Sequence, residues 1–119
     1  MKAIECLQQI HADTLHFQHL VNAFIDEFRH ASPPERALLV ADPICKSGPF
    51  EGLLAGVVSA LCRETETPGP AWLETISSPE PFFAFPAKSF ALRVRLMFES
   101  PAPLRIRNVF VPANYLSRA

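Results

Sequence analysis

The stretch from Phe50 to Cys62, FEGLLAGVVSALC, carries no charge between Glu51 and Arg63 and must therefore be buried. Its large apolar residues recur at three- and four-residue spacings, which is typical of a helix. The opposite side holds alanine, glycine and serine, so the helix is expected to pack on two faces. At about 14 residues it is too short for a bilayer, which needs roughly 20. The pattern predicts a buried central helix over 49–64.

Composition indicates a folded domain with a substantial core. The chain has 119 residues, of which 49% are hydrophobic and 19% charged, and a single domain over 1–119 is expected. Because the first residues are mixed and polar rather than a signal peptide, we expect a cytoplasmic protein without a membrane anchor. Three widely spaced cysteines without a CxxC motif indicate free thiols rather than a disulfide frame or a zinc site.

The sequence pattern of the first half of the chain predicts helices. Apolar spacing predicts helix over 2–30, with a break at 13–14, where Asp is a good N-cap type. Ser32 and Glu35 have the spacing of a capping box, which predicts a second, short helix. We expect Ser47 to cap the central helix.

A proline-rich and aromatic segment, SSPEPFFAFP over 77–86, follows the central helix and is called the aromatic loop below. Its three prolines predict that it has no regular structure. Trp72, Phe82, Phe83 and Phe85 would be costly to expose together. The loop is therefore either an ordered flap on the helices or a surface for another chain, and the flap is favoured because long loops in compact domains are usually pinned.

The last third allows two interpretations. Residues 90–98 fit a helix that places Phe90, Val94, Met97 and Phe98 on one face, but their alternation also fits a strand. Residues 104–111 alternate in the same way, so an α+β fold with a C-terminal β-hairpin of 90–98 and 104–111 is the alternative.

Capping signals favour helices instead. Ser100-Pro101 is a good helix start, and Asn108 is a credible left-handed C-cap, which predicts a short helix from Pro101 to Arg107. We predict a mainly α, compact multi-helix domain.

Charge is unevenly distributed along the chain. Residues 88–119 carry a net charge of +5 and the remainder −6. Arg93, Arg95, Arg105 and Arg107 are the best surface candidates, and as strands they could form one basic patch for nucleic-acid phosphates. As helices they could not share one face, because residues two apart point in nearly opposite directions. They could equally pair with the acidic half of the chain.

No motif indicates an enzyme. The spacings Asp13-x-x-His16 and Glu27-x-x-His30 match half of a di-iron motif, but such a site needs two different helices, so no metal or cofactor is expected. Cys45 precedes the central helix beside a lysine, which favours a reactive thiol, but spacing identifies no base for it.

The end of the chain resembles a family of small uncharacterised bacterial proteins. The resemblance rests on Glu99-Ser100-Pro101, on Arg105, on Arg107-Asn108-Val109-Phe110-Val111 and on a final Leu116-Ser117-Arg118-Ala119, preceded by Trp72 and Phe82-Phe83. It covers roughly 70–119, and Leu104 and Ile106 depart from the pattern. The resemblance implies a companion of toxin–antitoxin-type gene pairs and brings no catalytic residues.

These observations predict a non-enzymatic protein–protein interaction module of an accessory or antitoxin-like kind. Its partner is an unidentified protein or a second copy of the chain, and nucleic-acid binding through the arginines is the alternative. The predicted interaction residues are Trp72, Phe82, Phe83, Phe85, Arg93, Arg95, Arg105 and Arg107.

Overall fold

In the computed structural model, which describes residues 1–85 and 87–117, the chain is mainly helical, as predicted. The helices are α1 (Ala3–Ala12), α2 (Phe17–His30), α3 (Pro33–Leu39), α4 (Pro49–Glu64), α5 (Phe90–Glu99) and α6 (Ala102–Arg105). The other elements are two 3₁₀ turns, Thr14–His16 and Ala71–Thr75, and two short strands, β1 (Phe82–Phe83) and β2 (Val109–Phe110). The Cα radius of gyration is 13.4 Å. A compact chain of this length is expected to have about 13.5 Å.

The N-terminal helices form where the apolar spacing predicts them. The break falls at Asp13, whose N–H closes α1 by donating to the carbonyls of Gln9 and Ile10. The capping box of α3 is also present, since the Ser32 hydroxyl accepts the Glu35 N–H and the Glu35 carboxylate accepts the Ser32 N–H. The apolar stripes of α1 and α2 pack on each other and on α4, and they bury Ala3, Cys6, Leu7, Ile10, Val21, Phe24, Ile25 and Phe28.

Helix α4 is the centre of the molecule and has the predicted bounds. Its N-cap is Gly48 rather than Ser47, so that part of the prediction is wrong. The Ser47 hydroxyl instead donates to the Thr75 carbonyl and accepts the Ser77 N–H, both at 3.3 Å. The side chain expected to cap the helix therefore joins the start of α4 to the segment that leads into the aromatic loop.

The small side of α4 permits close approach of the C-terminal part of the chain. A Cβ atom added at Gly52 would lie 2.7 Å from the Ser78 backbone nitrogen. One added at Gly56 would lie 2.6 Å from Cδ2 of Leu104, which is fully buried. Helix α4 is thus packed on two faces, as its sequence predicts.

Strands β1 and β2 form a parallel pair in which Phe82 is opposite Val109 and Phe83 is opposite Phe110. The prediction of no regular structure over 77–86 is therefore wrong at Phe82–Phe83. The loop prolines do not prevent pairing, because the donors used are the N–H groups of Phe82 and Ala84, to the carbonyls of Asn108 and Phe110.

The alternative β-hairpin does not form. Residues 90–98 lie in α5, and 104–111 divide between α6 and β2, whose partner is β1. Helix α6 is shorter than the predicted 101–107. Asn108 has the predicted left-handed backbone, with φ of 65°. No helix within 1–85 and 87–117 has the length and apolar character needed to cross a membrane.

Candidate functional site

The aromatic loop and the turn before it are pinned to the body as an ordered flap. Trp72 is half-buried, and its Nε1 donates to the Val40 carbonyl at 2.9 Å. The Phe82 ring packs on the rings of Phe17 and Phe50, with centroids 6.3 and 5.4 Å away. Replacing Phe82 by a small polar residue would therefore disturb packing, and this ring is a poor probe of partner binding.

Of the other two loop phenylalanines, Phe83 is half-buried like Phe82, and Phe85 is exposed. Phe83 is half-buried between Phe110, whose ring centroid is 5.2 Å away, and the guanidinium of Arg93, 5.5 Å from the ring centre. This is a cation–π contact, so one predicted aromatic and one predicted arginine meet. Phe85 is 46% exposed and remains a candidate for partner contact.

Helix α5 is capped at both ends but buries little of its surface. The Ser89 hydroxyl accepts the Leu92 N–H at its start. Beyond its end, the Ser100 hydroxyl accepts the Val111 N–H at 2.7 Å. Leu96 is the one buried side chain of α5, and the helix contacts the body near β2. The helix is thus fixed in place while most of its surface faces solvent.

One side of α5 is apolar and uncovered in the described structure. It consists of Phe90, Val94, Met97 and Phe98, which lie within an arc of about 100° and are called the α5 face. Phe90 is 84% exposed, Phe98 79% and Met97 43%. Since an aromatic side chain has roughly 150–250 Å² of surface, the two phenylalanines alone expose roughly 250–400 Å². The largest apolar patch on a typical monomer covers about 300–600 Å² and is often functional.

The α5 face has a basic border. Arg93 and Arg95 flank it on opposite sides of the helix, and Lys88 precedes the first turn. Arg95 pairs with Glu99 at 2.5 Å, whereas Lys88 and Arg93 form no ion pair in the described part of the chain. The acidic half of the chain therefore does not neutralise this border.

Arg105 and Arg107 have different environments. Arg105 is exposed and directs Nη1 toward the Phe98 carbonyl, at 3.4 Å. Arg107 is only 8% exposed, and its Nη1 and Nη2 donate to the carbonyls of Pro103 and Leu73 at 2.7 and 3.0 Å. Burial lowers the pKa of its guanidinium. The expectation that Arg107 lies at the surface is wrong, because it holds two segments together inside the protein.

Within the residues that the structure describes, His11, His16 and Cys45 contact separate groups. His11 pairs with Glu51 at 2.7 Å and His16 with Asp13 at 2.9 Å. In the residues that the structure describes, no three His, Cys, Asp or Glu side chains are arranged to hold a metal. Cys45 is exposed, and its thiol contacts the Pro43 carbonyl rather than a base.

Compared with protein-family models, with curated proteins and with solved structures, the chain matches none of them. The resemblance to a toxin–antitoxin-associated family stays a prediction, and its last two residues, Arg118 and Ala119, lie outside the described residues, as does Pro86 of the aromatic loop. The site is therefore defined by its geometry.

The sequence pattern placed the four residues of the α5 face together but did not indicate that they face solvent. An apolar helical stripe is read as core by default. The available signal was the pair of arginines that borders the stripe, together with the many apolar residues of α1, α2 and α4, which already fill the core.

Proposed function

We propose that this chain is a non-enzymatic protein-interaction module whose α5 face binds a partner protein. The observation that carries the proposal is the exposure of Phe90 and Phe98, two large apolar side chains on one side of a well-capped helix. Burying them in an interface would remove from water an apolar surface that the described fold leaves uncovered.

The positive charge of the basic border indicates which kind of partner surface is complementary. Residues 88–99 hold three basic residues and one acidic residue, for a net charge of +2. Two copies of this face would bring like charges together, whereas an amphipathic segment with Asp or Glu beside its apolar face is complementary. The partner proposed is therefore an acidic amphipathic helix of another protein rather than a second copy.

An accessory or antitoxin-like role in the cytoplasm is part of the same proposal. The role rests on the resemblance described above. The location is supported by the three free cysteines, because unpaired thiols are typical of reducing compartments. Nucleic-acid binding has weaker support, because Arg107 is buried and Arg95 pairs with Glu99.

A pair of double variants tests the proposal. Tagged wild-type protein is used to capture partners from its host at moderate salt after nuclease treatment, and the purified complex is then measured by calorimetry. Phe90→Ser with Phe98→Ser should weaken binding at least about tenfold, the effect of roughly 1.4 kcal/mol. The melting temperature should change little, because both side chains are exposed.

The matched control is Leu15→Ser with Leu38→Ser, which removes two other exposed apolar side chains, 84% and 64% exposed. It should leave binding intact. Charge reversal by Arg93→Glu with Arg95→Glu should also weaken binding of the acidic partner. It should reduce the dependence of that binding on salt. Retained binding after the Phe90 and Phe98 substitutions would refute the proposal. It would also be refuted if the wild-type protein formed a dimer that these substitutions dissociate, or if the protein bound anionic phospholipid vesicles and no partner protein.

A further inference from the structure

A cavity of about 480 Å³ opens on the side of the molecule where three separate segments meet. Small-molecule sites usually have volumes of roughly 300–1,000 Å³. The start of α2, the aromatic loop and the C-terminal segment line it, with Phe17, Gln18, Asn22, Phe85, Pro112 and Tyr115 among the lining residues. The α5 face contributes no residue to it, so an inference about this cavity stands independently of the proposed function.

A chain of hydrogen bonds runs along the wall of the cavity. The Tyr115 hydroxyl donates to Oε1 of Gln18 at 2.7 Å, and Nε2 of Gln18 donates to Oδ1 of Asn22 at 2.9 Å. Burial raises the pKa of Tyr115 to about 12, so this group keeps its proton at neutral pH.

The direction of the chain determines what Asn22 presents to the cavity. Because Oδ1 of Asn22 accepts from Gln18, its Nδ2 group keeps two N–H donors that no described protein atom accepts. Asn22 is half-buried, so water can accept from its Nδ2 group when the cavity is empty, and a ligand carbonyl oxygen can replace that water.

The other residues that line the cavity indicate the charge and the shape of a suitable ligand. None of the lining residues that the structure describes is charged, so no described side chain in the wall balances a phosphate or a metal ion. Phe17, Phe85 and Pro112 supply ring-shaped apolar surface, against which a flat molecule packs well.

We propose that this cavity binds a small, neutral, planar ring with a carbonyl of the amide or lactam type, its oxygen accepting an N–H from Asn22. The apolar walls accommodate the ring, and the Tyr115–Gln18–Asn22 chain holds the donor in position. Nicotinamide and uracil are suitable probes because each combines a flat ring with such a carbonyl. Toluene, which has a ring but no carbonyl, is the matched apolar probe.

The experiment titrates each probe at millimolar concentration into the ¹⁵N-labelled full chain and follows amide signals by NMR. At least one of nicotinamide and uracil should shift signals of residues at the cavity, including the side-chain amide of Asn22, and toluene should bind at least about tenfold more weakly. Asn22→Asp keeps the oxygen that accepts from Gln18 but replaces both donors by an oxygen. Asn22→Asp should weaken the binding of the carbonyl probes at least about tenfold. Gln9→Leu, which removes an exposed side-chain amide away from the cavity, should leave their binding unchanged.

Unfolding of the aspartate variant would show in its own spectrum, and Asn22→Leu, which removes both the donors and the accepting oxygen, would then test the loss of the donors. The proposal is overturned if neither carbonyl probe shifts the cavity signals, if toluene binds as well as they do, or if the folded Asn22 variants bind like wild type.

Discussion

At the scale of single residues, Arg107 combines two roles in one side chain. Its apolar stem is buried beside α6, and its guanidinium donates to carbonyls at Pro103 and Leu73, which are far apart in sequence. Its Nε has no partner in the described part of the chain. A planar group with several donors can bridge two carbonyls in fixed directions, which a lysine ammonium on a flexible stem does less well.

Arg107→Lys should therefore lower the free energy of unfolding by about 1–3 kcal/mol, because at least one buried carbonyl loses its donor. Urea denaturation followed by fluorescence measures this directly, since the single tryptophan, Trp72, adjoins Leu73. Arg105→Lys, at an exposed site, should change stability by less than about 0.5 kcal/mol. Equal stabilities of the two variants would contradict the bridging role.

The sequence alone did not distinguish Arg107 from its neighbour. Arg105 and Arg107 stand in the same alternating pattern, and burial of the second depends on the turn at Leu73 approaching α6. That approach is a tertiary contact between distant segments, which no local spacing encodes. By contrast, the left-handed backbone of Asn108 was predicted correctly, because that conformation is a local preference of the residue type, although the C-cap of α6 is Ile106.

At the scale of elements, two glycines one turn apart determine how closely other segments pack on α4. Gly52 and Gly56 let the chain at Ser78 and Leu104 approach the helix at distances that leave no room for a methyl group. A Cβ at Gly56 would also lie 3.1 Å from the Cα of Leu104, so the neighbouring backbone would have to move.

Gly56→Ala should thus lower the free energy of unfolding by about 1–2 kcal/mol, since overpacking costs more than the gain in helix propensity. Gly69→Ala is the control, because its added Cβ would meet only Cδ1 of Leu73 at an ordinary 3.5 Å. It should be neutral or slightly stabilising. Thermal denaturation by circular dichroism compares them, and a Gly56 variant as stable as wild type would refute the close contact.

A helix or strand could be predicted when the residues of its own segment determine it. The bounds of α4 and the break between α1 and α2 follow from apolar spacing within the segments themselves, although the cap predicted for α4 was wrong. The pairing of β1 with β2 does not, because each strand has two residues and its partner lies more than twenty residues away. For α5 the pattern gave the helix and its face, while exposure of that face depends on how much surface the other helices cover.

At the scale of the whole molecule, α2 and α4 are joined by an ion pair as well as by the core. Arg29 donates to both oxygens of Glu64 at 2.9 and 2.8 Å. The hydrogen bonds from Arg29 lower the pKa of Glu64 below its ordinary value of 4.5. Because the folded pKa is below the unfolded one, the pair stabilises the protein above about pH 4.5, and this stabilisation is lost as the pH falls through the folded pKa.

Glu64→Gln should therefore lower stability by about 0.5 kcal/mol at pH 7, a small value because the pair is partly exposed. The difference from wild type should shrink toward zero in acid. Urea denaturation across the range from neutral to acid pH checks it, with the exposed Glu74→Gln as a control that should match wild type throughout. A deficit that persists unchanged in acid would show that the carboxylate acts through something other than its charge.

The hydrogen bond between Tyr115 and Gln18 spans 97 positions of sequence and has a consequence for biosynthesis. Chains are synthesised from the N-terminus at about 5–20 residues per second, so α1 to α4 emerge roughly three to ten seconds before Tyr115. During that interval the glycine side of α4 still lacks Leu104 and Val109, which cover it in the native protein. The nascent chain therefore exposes the glycine side of α4 during this interval, and we expect chaperones to bind it at that stage.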